Sequence, residues 1–209
     1  MEWEFGALDR DQRYKLLTGL VIPRPIALVT TRGANGVINA APFSFFSCHA
    51  GVPSFAMISV GQRAGGELKD TAANVIATRE FVVNLVDEPI AERMHACSID
   101  FPPRMSELEL VGLSAVASRA VAPPRISEAP VSLECRLHTD LYLGEHHLFI
   151  GEILWLHARE GIVDPETLRT QLENYHAVGR LFGNRYCHTN DTFSLDYGNY
   201  AAKLAAGDD

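Results

Sequence analysis

A mainly β fold with helical decoration, a barrel or a sandwich, is what this sequence predicts. Three observations lead there. Short runs of β-branched and aromatic residues outnumber amphipathic stretches, giving roughly six strands with only one or two helices between them. Turn signals join neighbouring runs directly, at Gly33-Ala34-Asn35-Gly36 and at Gly144-Glu145, as antiparallel hairpins require. Helical stretches do not alternate with the strands, which argues against a parallel βαβ sheet.

Each element has its own reason. Residues 8–19 form a short amphipathic helix, with Leu8, Tyr14, Leu16 and Leu17 apolar, ending near Gly19. Ile22-Pro23-Arg24-Pro25 forces an extended entry into a strand, Ile26 to Thr31. Val37 to Ala41 returns across the turn, and Ser54 to Val60 is a third strand. A loop carrying Gly61, Gly65 and Gly66 leads to a helix beginning near Lys69. Glu80 to Val86 is a strand whose unbroken apolar run implies burial on both faces. Pro89 to Ser98 reads as a helix with Pro89 in its first turn. From 99 to 130 the chain is irregular, holding Phe101-Pro102-Pro103, a short helix Ser106 to Val111, and Pro123-Pro124. Val131 to Leu143 and His147 to Ala158 are long strands. Beyond Asp164 come one or two helical turns (Pro165 to Leu172), then irregular sequence ending in Ala, Gly and Asp. No repeat or linker divides the chain.

Bulk composition narrows the function. The 209 residues suit one domain with a real core. Apolar residues make up 47% and charged residues 21%, as in globular rather than disordered chains. A net charge of −8 argues against nucleic acid, whose phosphates are held by Lys and Arg. Cys48, Cys97, Cys135 and Cys187 lack regular spacing, which fits reduced thiols better than a disulfide framework. Met1 to Phe5 offers no basic or apolar leader region, and no apolar run reaches the roughly 18–20 residues a bilayer span needs. The expected location is the cytoplasm, with no membrane contact.

The most informative segment is Lys69-Asp70-Thr71 through Asn84. Asp70 or Thr71 is placed to cap a helix, leaving backbone N–H groups and the positive dipole end beside the Lys69 cation. That is a seat for a phosphate; an ordinary capped helix with an exposed lysine is the alternative. Polar residues at strand ends nearby (Thr30, Thr31, Asn39, Ser44, Ser59) suit close approach of a ligand to the backbone. Phe43, Phe45 and Phe46 offer an apolar wall or simply core.

These residues together amount to a family likeness. Pro23 to Thr31, Gly36 to Phe46, Lys69 to Asn84 and Gly144-Glu145-His146-His147 to Ile153 resemble, in order and spacing, the flavin reductase-like, FMN-binding split-barrel proteins. The likeness covers roughly residues 20–160. The Gly-x-Gly-x-x-Gly fingerprint of a nicotinamide-binding unit is absent. The resemblance implies a single domain over 1–209 with a C-terminal extension from about 160, and a homodimer of split barrels, each with FMN near the interface. It also implies that Lys69 and Thr71 hold the flavin phosphate, with Arg63 as a second cation. Thr30 and Thr31 then line the ribityl chain or ring edge, and Ser59 closes a neighbouring strand end. Asn39, Ala41, Pro42, Phe43 and Ser44 bracket the isoalloxazine. His146 matches the family histidine near the ring and the nicotinamide. Glu145 departs from the usual Asp, and the Gln62–Leu68 loop departs from the family pattern. His176, Arg180 and Tyr186, in a segment with a looser likeness, fall on the substrate side or serve only as an interface strap.

His146 and His147 are adjacent on a strand entry and point to opposite faces, and no histidine pair has metal-ligand spacing; no metal is expected. No side-chain nucleophile stands out, as expected where a cofactor carries the chemistry. Three readings follow: an NAD(P)H-driven flavin reductase serving a monooxygenase partner or other acceptor, an FMN-dependent oxygenase or oxidase acting on a small, aromatic substrate, and a non-enzymatic flavin carrier.

Overall fold

Asp9 caps the first α-helix, after a 3₁₀ turn over Phe5–Ala7. Its carboxylate accepts from Gln12 N while the Gln12 side chain answers the Asp9 N–H, a reciprocal cap that sets the first turn. In chain order the elements are α1 (Arg10–Leu20), β1 (Ala27–Arg32), β2 (Ile38–Phe43), β3 (Phe46–His49), β4 (Phe55–Gly61), α2 (Asp70–Thr78), β5 (Glu80–Leu85), α3 (Ala91–Ala96), α4 (Glu107–Val111), β6 (Ala115–Val116), β7 (Arg125–Ile126), β8 (Val131–Leu143), β9 (His146–Ala158), β10 (Val178–Arg180) and β11 (Tyr186–His188). The structure is a computed structural model describing residues 1–99, 101–102, 105–196 and 198. Pro103 of the proline-rich stretch and the Ala/Gly/Asp tail from 199 lie outside the described residues.

One antiparallel seven-stranded sheet runs in the order β2-β1-β5-β8-β9-β4-β3. Its two edge strands, β2 and β3, are consecutive in sequence and separated only by Ser44 and Phe45. The sheet must therefore curl until its edges meet, which makes it a barrel split along that seam. Ser59 N of β4 donates to Phe45 O at 2.9 Å, extending the β3–β4 ladder into the corner between β2 and β3. Pro42 is accommodated because β2 is an edge and loses no ladder bond. The fold is thus the mainly β split barrel that the sequence predicts.

Alternation places each strand. In β1, Ala27 and Val29 join a core with Ile58, Phe81, Val83 and Phe149, while Leu28 belongs to a second core with Ala40, Met94, Leu108 and Ile126. One face of β1 thus looks into the barrel and the other lies under α3 and α4. That two-sided burial is why the run reads as continuously apolar. Helix α2 adds Ala72 and Val75 to the first core. Gly151 on β9 is required by close approach: a Cβ there would lie 2.4 Å from Phe81 Cζ.

Several boundaries differ from expectation. The Pro89–Ser98 helix divides into a 3₁₀ turn over Glu88–Ile90 and the short α3. Residues 165–171 are not helical, because Asp164 Oδ1 accepts from Glu166 N at 2.9 Å and Thr167 N at 2.8 Å and folds a turn instead, and a single 3₁₀ turn follows over Leu172–Asn174. Strand β3 and the β10–β11 hairpin were not anticipated. No described helix is long and apolar enough to cross a membrane.

Candidate functional site

The N-terminus of α2 opens onto a cleft. Lys69 is its N-cap through the backbone alone, with extended φ −69° and ψ 155°, and no side chain caps the helix. The expected capping by Asp70 or Thr71 therefore does not occur. Asp70 lies inside the first turn and pairs with Arg63 at 2.8 Å. Arg63 also donates to Leu68 O at 2.9 Å, and its N–H to Glu67 O at 2.8 Å, closing the 63–68 loop against the helix. Gly65 and Gly66 hold φ of 99° and 87° in that loop, values that favour glycine.

Thr71 is buried and its hydroxyl oxygen accepts from Asn39 Nδ2 at 2.9 Å. The threonine proton is thereby left to donate elsewhere. Lys69 is half-buried in the same cleft and makes no ion pair among the described residues. An ammonium, a directed hydroxyl and uncapped first-turn N–H groups converge, which is a donor set for an anion. The cleft continues along β2, where Asn39, Ala41, Pro42 and Phe43 line it together with Arg63, and the segment after α3 supplies Ser98 and Phe101 opposite.

Glu107, the first residue of α4, also lines this cleft, and the sequence offered no local sign of it. Its Oε2 accepts from Ala40 N at 2.8 Å. Burial pushes the carboxyl above the usual range, the Ala40 hydrogen bond opposes this, and Asp70 adds to the rise.

The remaining candidates lie elsewhere. Thr30 and Thr31 are fully buried within β1 rather than at its end. Thr30 Oγ1 donates to Pro124 O at 2.6 Å and accepts from Asn84 Nδ2, and Thr31 Oγ1 accepts from Asn74 Nδ2 at 3.0 Å. Their side chains tie the core together. Ser59 and His146 line a groove beneath α1 with Phe45. The His146 ring lies against Gly61, where an added Cβ would come 2.9 Å from its Nε2. Glu145 pairs there with Arg10 of α1 at 2.9 Å. His147 turns away, bonding to Asp140 at 2.9 Å and stacking on Phe149. Ser44, Arg180 and Tyr186 share a second cleft with Arg24, and Pro42 and Phe43 line both clefts. His176 is exposed and its ring bonds to Glu173 O at 3.2 Å, apart from these clefts. Arg24 is buried although the sequence marks it only as part of the Pro-flanked entry and of the Pro23–Thr31 likeness.

The split barrel is the fold of the flavin reductase-like proteins. The family model for the flavin reductase like domain matches residues 19–179, and the chain belongs to that family. A solved structure of Pseudomonas fluorescens 2-nitrobenzoate 2-nitroreductase is 38% identical with a TM-score of 0.85, covering 94% of this chain and 95% of that one. Nitrilotriacetate monooxygenase component B from Bacillus cereus is 33% identical with a TM-score of 0.88, covering 93% and 98%. An uncharacterised protein of Aquifex aeolicus is 43% identical over 186 residues, covering 89% of this chain and 94% of its own.

Proposed function

We propose that the chain is an FMN-binding oxidoreductase of the flavin reductase type, working as a cytoplasmic homodimer with NAD(P)H as electron donor. The observation that carries this is the α2 cleft, where a Lys69 without an ion pair among the described residues, a directed Thr71 hydroxyl and uncapped helix N–H groups lead directly onto the Pro42–Phe43 wall. That arrangement fits a flavin mononucleotide: a doubly charged phosphate at one end and an apolar ring system at the other. When bound, the flavin supplies two-electron transfer between nicotinamide and an acceptor.

The chain's own residues supply the rest. Lys69 and Thr71 hold the phosphate, while the Arg63–Asp70 pair keeps the 63–68 loop closed beside it. Pro42 and Phe43 exclude water from one side of the ring, and Asn39 fixes the Thr71 hydroxyl. His146, set over Gly61, orients the nicotinamide from the groove under α1. Likeness to a monooxygenase component B supports delivery of reduced flavin to a partner oxygenase.

The decisive assay is oxidation of NADH and NADPH with FMN as acceptor, run aerobically and anaerobically. Turnover with either donor supports the reductase reading, and no turnover with both removes it. A second reading, direct action of the flavin on a small aromatic substrate, is favoured by the Arg180–Tyr186 cleft and by likeness to a nitrobenzoate reductase. Flavin bound without turnover on any donor would leave the third, a carrier.

A further inference from the structure

The second cleft is chemically unlike the first. Arg24 is only 6% exposed. It donates to Thr18 O at 2.6 Å, Val21 O at 3.0 Å, Leu181 O at 2.6 Å and Ser44 Oγ at 3.2 Å. Arg180 donates to the Tyr186 hydroxyl and to Gly183 O, with its guanidinium 4.7 Å from the Tyr186 ring centre. Every one of these acceptors is neutral. Among the described residues no carboxylate lies within ion-pair distance of either guanidinium, in a chain with 26 acidic residues to 18 basic ones. Buried charges in folded proteins are ordinarily paired. Burial pulls the Arg24 guanidinium below its usual value, Tyr14 opposes this, and the nearby Arg180 adds to the fall. Among the described residues the two cations thus face one cleft without a counter-charge.

The arginines are not equivalent. Arg24 has used most of its five N–H groups to bind α1, the 21–24 entry and the segment after β10 together, so it is a structural clamp that contributes field. Arg180 has donors to spare. Tyr186, whose hydroxyl also lies 2.8 Å from His95 Nδ1, holds that guanidinium in place. Next to this cationic end the cleft carries apolar side chains, chiefly Phe43 with the edges of Ile26 and Met94, among the polar Ser44 and Ser98.

We propose that the second cleft is a binding site for the carboxylate of a small aromatic acid, with Arg180 making the ion pair, Tyr186 positioning it, and the ring lying on Ile26 and Phe43. A planar guanidinium fork matches a carboxylate in two parallel hydrogen bonds, and an apolar wall starting beside it fits a ring carrying that group. The proposal rests on the flavoprotein reading only in placing the acid next to a flavin, since Pro42 and Phe43 line both clefts. Binding of the acid itself needs no flavin.

Calorimetric titration of the purified full chain with benzoate, benzamide, inorganic phosphate and NADPH tests it. Benzoate is expected to bind at least tenfold more tightly than the neutral benzamide. Arg180→Gln should remove that preference, Arg180→Lys should retain part of it, and Tyr186→Phe, which leaves the ring in place, should weaken benzoate several-fold. Equal binding of benzoate and benzamide, or Arg180→Gln binding benzoate like the parent chain, overturns the proposal. So does phosphate or NADPH binding more tightly than benzoate and losing its affinity in Arg180→Gln, which would make the site one for a phosphate. FMN titration of the same preparation reports the first cleft separately: FMN binding without benzoate binding refutes this site alone, and the reverse refutes the cofactor reading alone.

Discussion

Replacing Lys69 by Ala isolates the charge at the phosphate seat. Lys69 makes no ion pair among the described residues, so its removal orphans none of their carboxylates and the loss is read on the ligand. Its side chain is not part of the core, and the α2 cap is a backbone feature that alanine preserves. A hydrogen bond to a charged partner is worth about 1.5–3 kcal/mol, which is roughly 10- to 150-fold in Kd. Arg63 gives the contrast. It is engaged by Asp70 at 2.8 Å and Leu68 O at 2.9 Å, and Arg63→Ala would leave the Asp70 carboxylate beside the bound phosphate. Arg63→Ala should therefore weaken FMN through repulsion and loop opening, and adding Asp70→Asn should restore much of the loss. Lys69→Ala gains nothing from Asp70→Asn beyond the removal of one negative charge. Fluorescence-quenching titration of FMN against the set provides the readout at low and moderate salt. Wild-type affinity in Lys69→Ala, with intact thermal unfolding, would show that the phosphate is held elsewhere and refute the reasoning.

Other outcomes follow from particular residues. Gly151→Ala places a Cβ 2.4 Å from Phe81 Cζ; overpacking of this kind costs roughly 1–3 kcal/mol, visible as a fall of about 2–4 °C in Tm per kcal/mol, and an unchanged Tm would contradict the packing described. Glu134 is buried and accepts from Arg119 N, Ala120 N and His157 Nε2; burial raises its carboxyl but these bonds outweigh that and hold it below the usual range. A lowered acid contributes stability above its ordinary titration range and loses it as pH falls, so Glu134→Gln should cost on the order of 1–3 kcal/mol near neutrality and converge on the parent in acid; a gap that widens in acid would contradict the sign. His146→Ala should lower turnover with NADH or NADPH about tenfold through lost orientation while leaving FMN affinity nearly intact, and unchanged turnover would reduce His146 to a turn residue.

How much of this was legible in the sequence depended on whether the signal was local. Strands β1, β5, β8 and β9 announced themselves because each is a run whose own residues are apolar or β-branched, and the turn at Gly33–Gly36 fixed how β1 meets β2. Edge strand β3 did not, since Ser47, Cys48 and His49 are exposed and carry no alternation. The α2 cleft was legible at Lys69 and Thr71, whereas the capping role given to Asp70 was not, because Asp70 is drawn to Arg63 across a closed loop. Thr30 and Thr31 looked like strand-end hydroxyls, but the strand runs on to Arg32 and their partners, Pro124 and Asn74, come from distant segments. Glu107 reaches Ala40 across 67 positions. Arg24 likewise meets Leu181 across 157 positions. Both are long-range contacts that periodicity and spacing do not encode.

The central claim, that the α2 cleft holds the phosphate of a flavin mononucleotide, is tested most directly by comparing FMN with riboflavin, which lacks only that group. The account predicts FMN binding on the order of 100-fold or more tighter, as expected of two charge-assisted contacts acting together, with most of the difference lost in Lys69→Ala. Riboflavin and FMN binding with equal affinity would contradict it.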